Sequence, residues 1–524
     1  MKNMKISKFW KMMLTTNLIA SAFLYSCTDL EDKVTGRPVD ASSGSSCVTA
    51  KGKPSESLGS AYARLNDLSD QANVYALLEH PSDEMMGPTR GTDWDDFGTW
   101  RKLHQHTWDA THNQIISSWD NLNNAVFRSQ LTIYSSDPNS QKQIIAEASF
   151  LKAFYSFYIV DLFGKLPSTN LANTCAGATL LPRAQAVDTL IKDLNYSVTN
   201  LALGSPNKAN KSAAQFLLAK VYLNKAVYTS DPENPAGPYS FAKADMDKVI
   251  ELCNAIISSG SYELTKTGKY FDNFHWENGQ RSKELIFTIE NNEGSPIANV
   301  RNRYYMGLHY NQTPSGWNGF TTLADFYNSF EKADQRLGGA YPGVTDKIGL
   351  QVGFLVGQQY DAKGNKLKTR GGEDLIFTPD INIAAAGEEK GIRVMKYFPN
   401  PDNLDNSGAD YVLFRYSDVL LMKAEAILRG GSDSQGQTAL TIINGLRATR
   451  GASALGSVTL ANVLAERGRE LYYEGWRRQD QIRFESFLKA VDQRPNQSDK
   501  HVVVFPIPQK SIDLNPKWEQ NKGY

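Results

Sequence analysis

Between Thr89 and Trp100 the chain reads TRGTDWDDFGTW. Two indole rings, three carboxylates and a guanidinium fall within one short stretch, and no helical or two-residue period fits them. Such a stretch is a loop, and loops run over the surface. Its rings are therefore either packed under another element or presented to a ligand. Trp94, flanked by Arg90, Asp93, Asp95 and Asp96, sets a flat apolar face beside hydrogen-bonding edges. Trp317, in NQTPSGWNGF, repeats the arrangement among Gly, Asn and Ser. Trp100, Trp108 and Trp119 alternate with helix-like segments and read as core.

The same residues raise other chemistries. Two carboxylates a short distance apart are all that glycoside hydrolysis requires. His104, His106 and His112 in LHQHTWDATH contain an H-x-H pair, but a zinc site needs a third ligand and second-shell support. Ordinary hydrogen-bonded histidines are the simpler reading, and no metal or cofactor is expected. The chain contains no H-E-x-x-H, G-x-S-x-G, Walker A or G-x-G-x-x-G pattern. The reading is of a binding protein and not an enzyme.

The elements that must position these loops are mostly helical. LGSAYARLNDLSDQANVYALL, HNQIISSWDNLNNAVFRSQLTIY, residues 188–201, KSAAQFLLAKVYLNKAVY and FAKADMDKVIELCNAIIS keep apolar residues near helical spacing. QKQIIAEASFLKAFYSFYIVDLFG is apolar almost all round, as a buried helix is, and stops at Gly164. AEASFLKAFYSFY and SAAQFLLAKVYLNKAVY both set small alanines before aromatics, the texture of stacked tetratricopeptide helix pairs. Residues 261–410 change character: Gly, Asn, Pro and aromatics dominate, with short strand-like runs (ELIFTIE, VGFLVG) and a hairpin in YDAKGNKLKT turning at Gly364-Asn365. An irregular segment of that length is usually functional. Helices resume in RYSDVLLMKAEAILRGG, GQTALTIINGLRATRG and LANVLAERGRELYYEGWRRQDQIRFESFLKA. In the last, arginines 467, 469, 477, 478 and 483 are balanced by acids 466, 470, 474, 480 and 485, and Glu474 precedes Arg477 and Arg478 at ion-pair spacing. That predicts an internally paired structural helix, not a nucleic-acid surface.

The first 26 residues read as a leader: Lys2, Lys5, Lys8 and Lys11 form a basic start, then a short apolar run ends in LYSC. A cysteine after a small residue resembles a bacterial lipobox, with Cys27 taking the lipid. Residues 27–57 read as a flexible tether. Composition is that of an ordinary folded protein, 41% hydrophobic and 21% charged. Basic and acidic residues number 56 each, and removing the four leader lysines leaves 52 basic against 56 acidic. Nothing in that balance attracts nucleic acid. Beyond Cys27 lie Cys47, Cys175 and Cys253, odd in number, widely spaced and without a zinc pattern. One disulfide remains open, and mostly buried or incidental thiols are expected.

Five segments in order resemble the SusD/RagB family of Bacteroidota surface lipoproteins: AEASFLKAFYSFYIVDLFGKLP, RYSDVLLMKAEAI, INGLRATRG, ERGRELYYEGWRRQDQIRF and, at the end of the chain, FPIPQKSIDLNPKWEQNKGY. The acidic residues after Cys27 also resemble that group's surface-export signal. The resemblance implies a mainly α, tetratricopeptide-like scaffold over residues 58–524: helical repeats at 58–260, a loop- and hairpin-rich ligand-facing region at 261–410, and C-terminal helices with a tail at 411–524. It implies a cell-surface, outer-membrane location, a SusC-like TonB-dependent transporter as partner, and capture of glycan for that transporter. It also implies that the Trp94 segment lies on the ligand side, with indole on a sugar face and polar groups on its hydroxyl edges. Tyr310, Arg370 and Arg393 are further candidate edge contacts. The same lid role for peptides, as in the RagB branch, and a surface glycoside hydrolase are the alternatives.

Overall fold

The computed structural model describes residues 47–292 and 298–524. Cys27, the leader and most of the expected tether lie outside the described residues. The described residues fall into two units, one of residues 47–49 with 172–177 and the other drawn from residues 50–171 and 178–524. In the first, Cys47 and Cys175, 128 residues apart, form a disulfide, and the Thr174 backbone N–H donates to the Cys47 carbonyl at 2.6 Å. The expectation of mainly incidental thiols is corrected for that pair. It holds for Cys253, which is free and buried. A separation of that length leaves no local spacing for a sequence reading to detect.

The second unit is a scaffold of packed helices. They are α1 (Pro54–Ala63), α2 (Asn73–Glu79), α3 (Thr99–Gln105), α4 (Asn113–Ser135), α5 (Lys142–Phe163), α6 (Arg183–Asn200), α7 (Lys211–Tyr228) and α8 (Lys243–Ser258). Then come α9 (Tyr416–Leu428), α10 (Ala439–Thr449), α11 (Leu460–Leu471) and α12 (Arg477–Arg483). From α4 to α8 each helix packs on the next, which is the tetratricopeptide-like arrangement. Alanines allow the close approach: Ala146, Ala148 and Ala153 on α5 and Ala213, Ala214 and Ala219 on α7 are fully buried. Phe150, Phe154 and Phe157 fill the space between helices, each contributing about 2–3 kcal/mol by burial.

Helix ends follow local chemistry. Gly164 ends α5 in the left-handed conformation (φ 68°), and Asn210 caps α7 by accepting from the Ala213 N–H at 2.9 Å. Thr438 and Thr459 form capping boxes with Thr441 and Asn462 at the starts of α10 and α11. Three readings shift. The periodic run from residue 58 is two helices, α1 and α2, interrupted after Leu68. Helix α1 begins at Pro54, inside the segment expected as tether. The long C-terminal helix is broken between α11 and α12, where Tyr473 and Gly475 take left-handed backbone angles.

The break redirects the charges. Glu474 lies in the turn and binds Arg415 and Lys396, while Arg477 pairs with Asp83 and Arg478 with Asp161. The expected pairing of Glu474 with Arg477 and Arg478 does not occur, because no continuous helix carries them.

Short strands punctuate residues 261–415. β1 (Leu285–Ile289) pairs antiparallel with β5 (Tyr411–Arg415), and β3 (Val352–Leu355) lies between β2 (Gly338–Gly339) and β4 (Arg393–Met395). The expected hairpin is present: Tyr360 bridges Lys366, and Gly364 turns with φ 81°.

Candidate ligand-binding site

Three loops are laced together by backbone bonds. The Met86 and Thr321 amides exchange hydrogen bonds with each other's carbonyls, at 2.9 and 3.0 Å. Thr322 N–H donates to Ile392 O, and Ala386 N–H to Thr89 O. Irregular backbone leaves carbonyls without ladder partners, and buried carbonyls need donors. Two arginines supply them. Arg90 donates from Nε to Gly319 O, from Nη1 to Gly387 O and from Nη2 to Lys390 O. Arg393 donates to the carbonyls of Lys390, Gly391 and Glu388 and to Asn318 Oδ1. Both are buried, Arg393 completely. Burial holds Arg90 down at about 10, and burial together with the nearby Arg90 lowers Arg393 well below the usual guanidinium range. The expectation that Arg90 and Arg393 meet a ligand's edges is corrected: both are buried, Arg90 and the Nη groups of Arg393 donate to the loops themselves, and Arg393 Nε has no hydrogen-bond partner among the described residues.

The lacing brings Trp94 and Trp317 together. Their ring centroids are 6.4 Å apart, and Trp94 Nε1 donates to Trp317 O at 2.8 Å. Both rings are partly buried. Trp94 rests on Gly319, where a Cβ would stand 2.5 Å from its ring, and against Phe320 at 4.8 Å. Only glycine permits that approach. Tyr305 continues the arc 5.6 Å from Trp317, with its hydroxyl donating to Asp405 Oδ1 at 2.7 Å. Sequence reasoning missed Tyr305. It lies outside the Gly- and Asn-rich stretch that drew attention to Trp317.

Polar groups flank the arc. Tyr310 donates its hydroxyl to Asp93 Oδ2, and the Arg370 guanidinium lies 3.9 Å from the Tyr310 ring centre. Burial, then Asp93, pushes the phenol up to about 12, so it remains a donor. Arg370 is exposed; it reaches Asp93 at 3.5 Å and binds Glu388 through Nε and its backbone N–H. Glu388 also holds His309 at 3.0 Å. Burial would raise Glu388, but Arg370 and His309 outweigh it and keep the carboxyl below its ordinary value. Asp96 is a local brace: its Oδ2 accepts from Trp100 Nε1 at 2.6 Å. Trp100, Trp108 and Trp119 are buried, as expected. His104 bonds the carbonyls of His80 and Asp492, His106 the carbonyl of Pro81 and the hydroxyl of Ser498, and His112 the carbonyl of Thr99.

The loop itself is strained. After the tight Arg90–Asp93 turn, Trp94 (φ 61°), Asp96 (φ 40°) and Phe97 (φ 53°) are left-handed. Side chains without glycine's freedom cost on the order of 1–2 kcal/mol each there, and such strain concentrates at working sites. The rings of the arc, Trp94, Trp317 and Tyr305, are each partly exposed. A cavity of about 490 Å³ lies elsewhere, lined by Arg183, Glu233 and His501 among others, and shares no residue with it.

Comparison with known proteins agrees with this architecture. The model of the SusD family matches residues 283–503. The starch-binding protein SusD of Bacteroides thetaiotaomicron is 26% identical over 427 residues, 72% of each chain. A solved SusD superfamily protein from Parabacteroides distasonis superposes with a TM-score of 0.70 at 19% identity, covering 90% of this chain and all of that one. Surface glycan-binding protein A from Bacteroides thetaiotaomicron, solved with laminarihexaose, gives 0.64 at 19% identity over 89% of this chain and 98% of its own. The helical scaffold and these matches make the chain similar to the SusD family, with residues 283–503 matching the family's own model.

Proposed function

We propose that the protein binds glycan at the Trp94–Trp317–Tyr305 arc and hands it to a SusC-like TonB-dependent transporter. One observation carries the reading: loops 223 residues apart in sequence meet so that two partly exposed indoles stand side by side, rimmed by Asp93, Tyr310, Arg370 and Asp405. Flat rings cover the C–H faces of a sugar, and the carboxylates, phenol and guanidinium meet its hydroxyls. The names of the starch-binding and laminarihexaose-bound relatives support the class of ligand. The engagement of Glu388 and Asp93 supports a binding role over catalysis. Both are engaged as acceptors, and Glu388 is lowered, whereas a glycosidase acid must be raised.

Cys27 carries the lipid anchor on this reading, and the protein works at the outer face of the outer membrane. Among the described residues no helix is long and apolar enough to cross a membrane. Affinity electrophoresis of the native chain through gels containing laminarin, starch, xylan or mannan tests the proposal. Retardation in at least one gel is expected, with no reducing sugar released and with loss on Trp317→Ala. Unretarded migration in all of them, or retardation indifferent to Trp317, overturns it.

A further inference from the structure

Phe97 lies three residues beyond Trp94 and is 94% exposed, the barest large apolar side chain among the described residues. It is not a loose tip. Asp96, Phe97 and Gly98 are consecutively left-handed, at φ 40°, 53° and 76°. Each flank is fastened: Gly98 N–H donates to Asp95 O, Thr99 Oγ1 to Asp96 O, Trp100 Nε1 to Asp96 Oδ2, and Arg101 pairs with Asp95 at 2.9 Å. The loop therefore holds an apolar ring in water through a backbone conformation that such a residue rarely adopts. Among the described residues almost nothing covers that ring.

We infer that Phe97 is a second stacking ring for the same ligand, and that the site is built for a glycan chain of several sugars. This rests on the glycan reading of the arc. Three residues span at most about 10 Å of chain, so Phe97 stands within reach of sugars next to the one on Trp94 and Trp317. Its surroundings fit a sugar better than a protein partner. Asp96 next to it is exposed, as are Gly91 and Thr92 in the same loop, whereas protein docking uses contiguous apolar patches. A lone ring among polar groups matches one C–H face bordered by hydroxyls.

The test titrates the native chain, Phe97→Ala and Trp94→Ala with disaccharides and hexasaccharides prepared from laminarin, starch, xylan and mannan. Phe97→Ala is expected to weaken hexasaccharide binding about tenfold, to leave disaccharide binding and the melting temperature unchanged, and to recover with Phe97→Tyr. Trp94→Ala weakens both lengths. Native-like hexasaccharide binding by Phe97→Ala overturns the inference, and so does an equal loss at both lengths, which would make Phe97 a shaper of the loop. A native chain that binds no saccharide of any length removes the glycan reading, and this inference with it. Length-independent native binding lost only through Trp94 removes the inference alone.

Discussion

Arginines hold two regions of this protein together, with different partners in each. Around α9 to α12 they meet carboxylates: Arg450 and Arg415 both reach Glu284 and Glu470, Arg336 reaches Asp334, Glu466 and Glu470, and Arg467 joins Asp418 to Asp480. Around the aromatic arc, Arg90 and Arg393 meet mainly carbonyls. The first network joins helices that are already formed, and every charge in it is compensated. The second gives shape to backbone with no ladder of its own. An ion-paired weld can stay the same while the ligand changes, because no member of it faces solvent. A carbonyl staple fixes wherever its loops go, so the loops can vary around it.

The largest effect expected is in the weld. Glu470→Ala takes one carboxylate at once from Arg336, Arg415 and Arg450, which keep respectively Asp334 and Glu466, Glu284 and Glu474, and Glu284, and should cost about 3–5 kcal/mol, read from a urea midpoint. The paired change Glu470→Met with Arg450→Met should cost less than the single one, since breaking such a network is worse than replacing part of it. Equal losses would mean that the charges are not mutually compensating.

The staples come next. Arg90→Met leaves the carbonyls of Gly319, Gly387 and Lys390 without these donors, a loss of about 2–3 kcal/mol. It should also abolish glycan retardation, although Arg90 is buried. Retained binding by a destabilised Arg90→Met would show that the platform does not depend on its staple.

Trp94 gives a smaller and mixed effect. A loop ring on its own would leave the fold unmoved, but this one sits on Gly319 and against Phe320. Trp94→Ala should therefore cost about 2 kcal/mol of stability, less than the 3–5 of a fully buried tryptophan, besides most of the binding. Trp94→Phe keeps much of the packing and loses the Nε1 bond to Trp317 O. If its melt is native and its binding is still lost, the indole itself is what the ligand needs.

Much of the weld was legible in sequence, and little of the staple was. Helical period, Gly164 and the alanine–aromatic texture give α4, α5 and α7 nearly to the residue, because they are local. The balance of charge after residue 466 was readable; its pairing was not, because the turn at Tyr473–Gly475 undoes the spacing on which Glu474 and Arg477 were matched. Trp94 and Trp317 were found by residue type among small polar neighbours. Arg90 and Arg393 look the same in sequence as Arg370, and only long-range burial separates them. Phe97 sat inside the first stretch considered and carried no signal, since exposure is a property of the fold.

The smallest effect is one of pH, and it is found where α2 leads toward the loops. Glu284, in the weld, would be raised by burial, but Arg450 and Arg415 outweigh that and hold it at about 2. Its folded value lies below its unfolded value near 4.3, so its stabilisation is complete above that value and is lost as pH falls toward 2. Glu79 and Glu84 behave oppositely. They are fully buried near each other; Glu79 accepts from the Gly475 N–H and Glu84 from the Tyr473 N–H, and the second oxygen of each has no hydrogen-bond partner among the described residues. Burial pushes both up, and for Glu84 the neighbouring Glu79 adds to it. A carboxyl raised in the folded state stabilises below its unfolded value and loses that contribution as pH rises. Glu79→Gln keeps a donor for Glu84 and removes one ionisation. Its urea midpoint should exceed the native one at pH 8, by on the order of 1–2 kcal/mol, and the gap should close by pH 5. A variant weaker than native by the same amount at both pH values would mean that the pair does not share a proton, and that this corner is held, like the weld, by ionised groups.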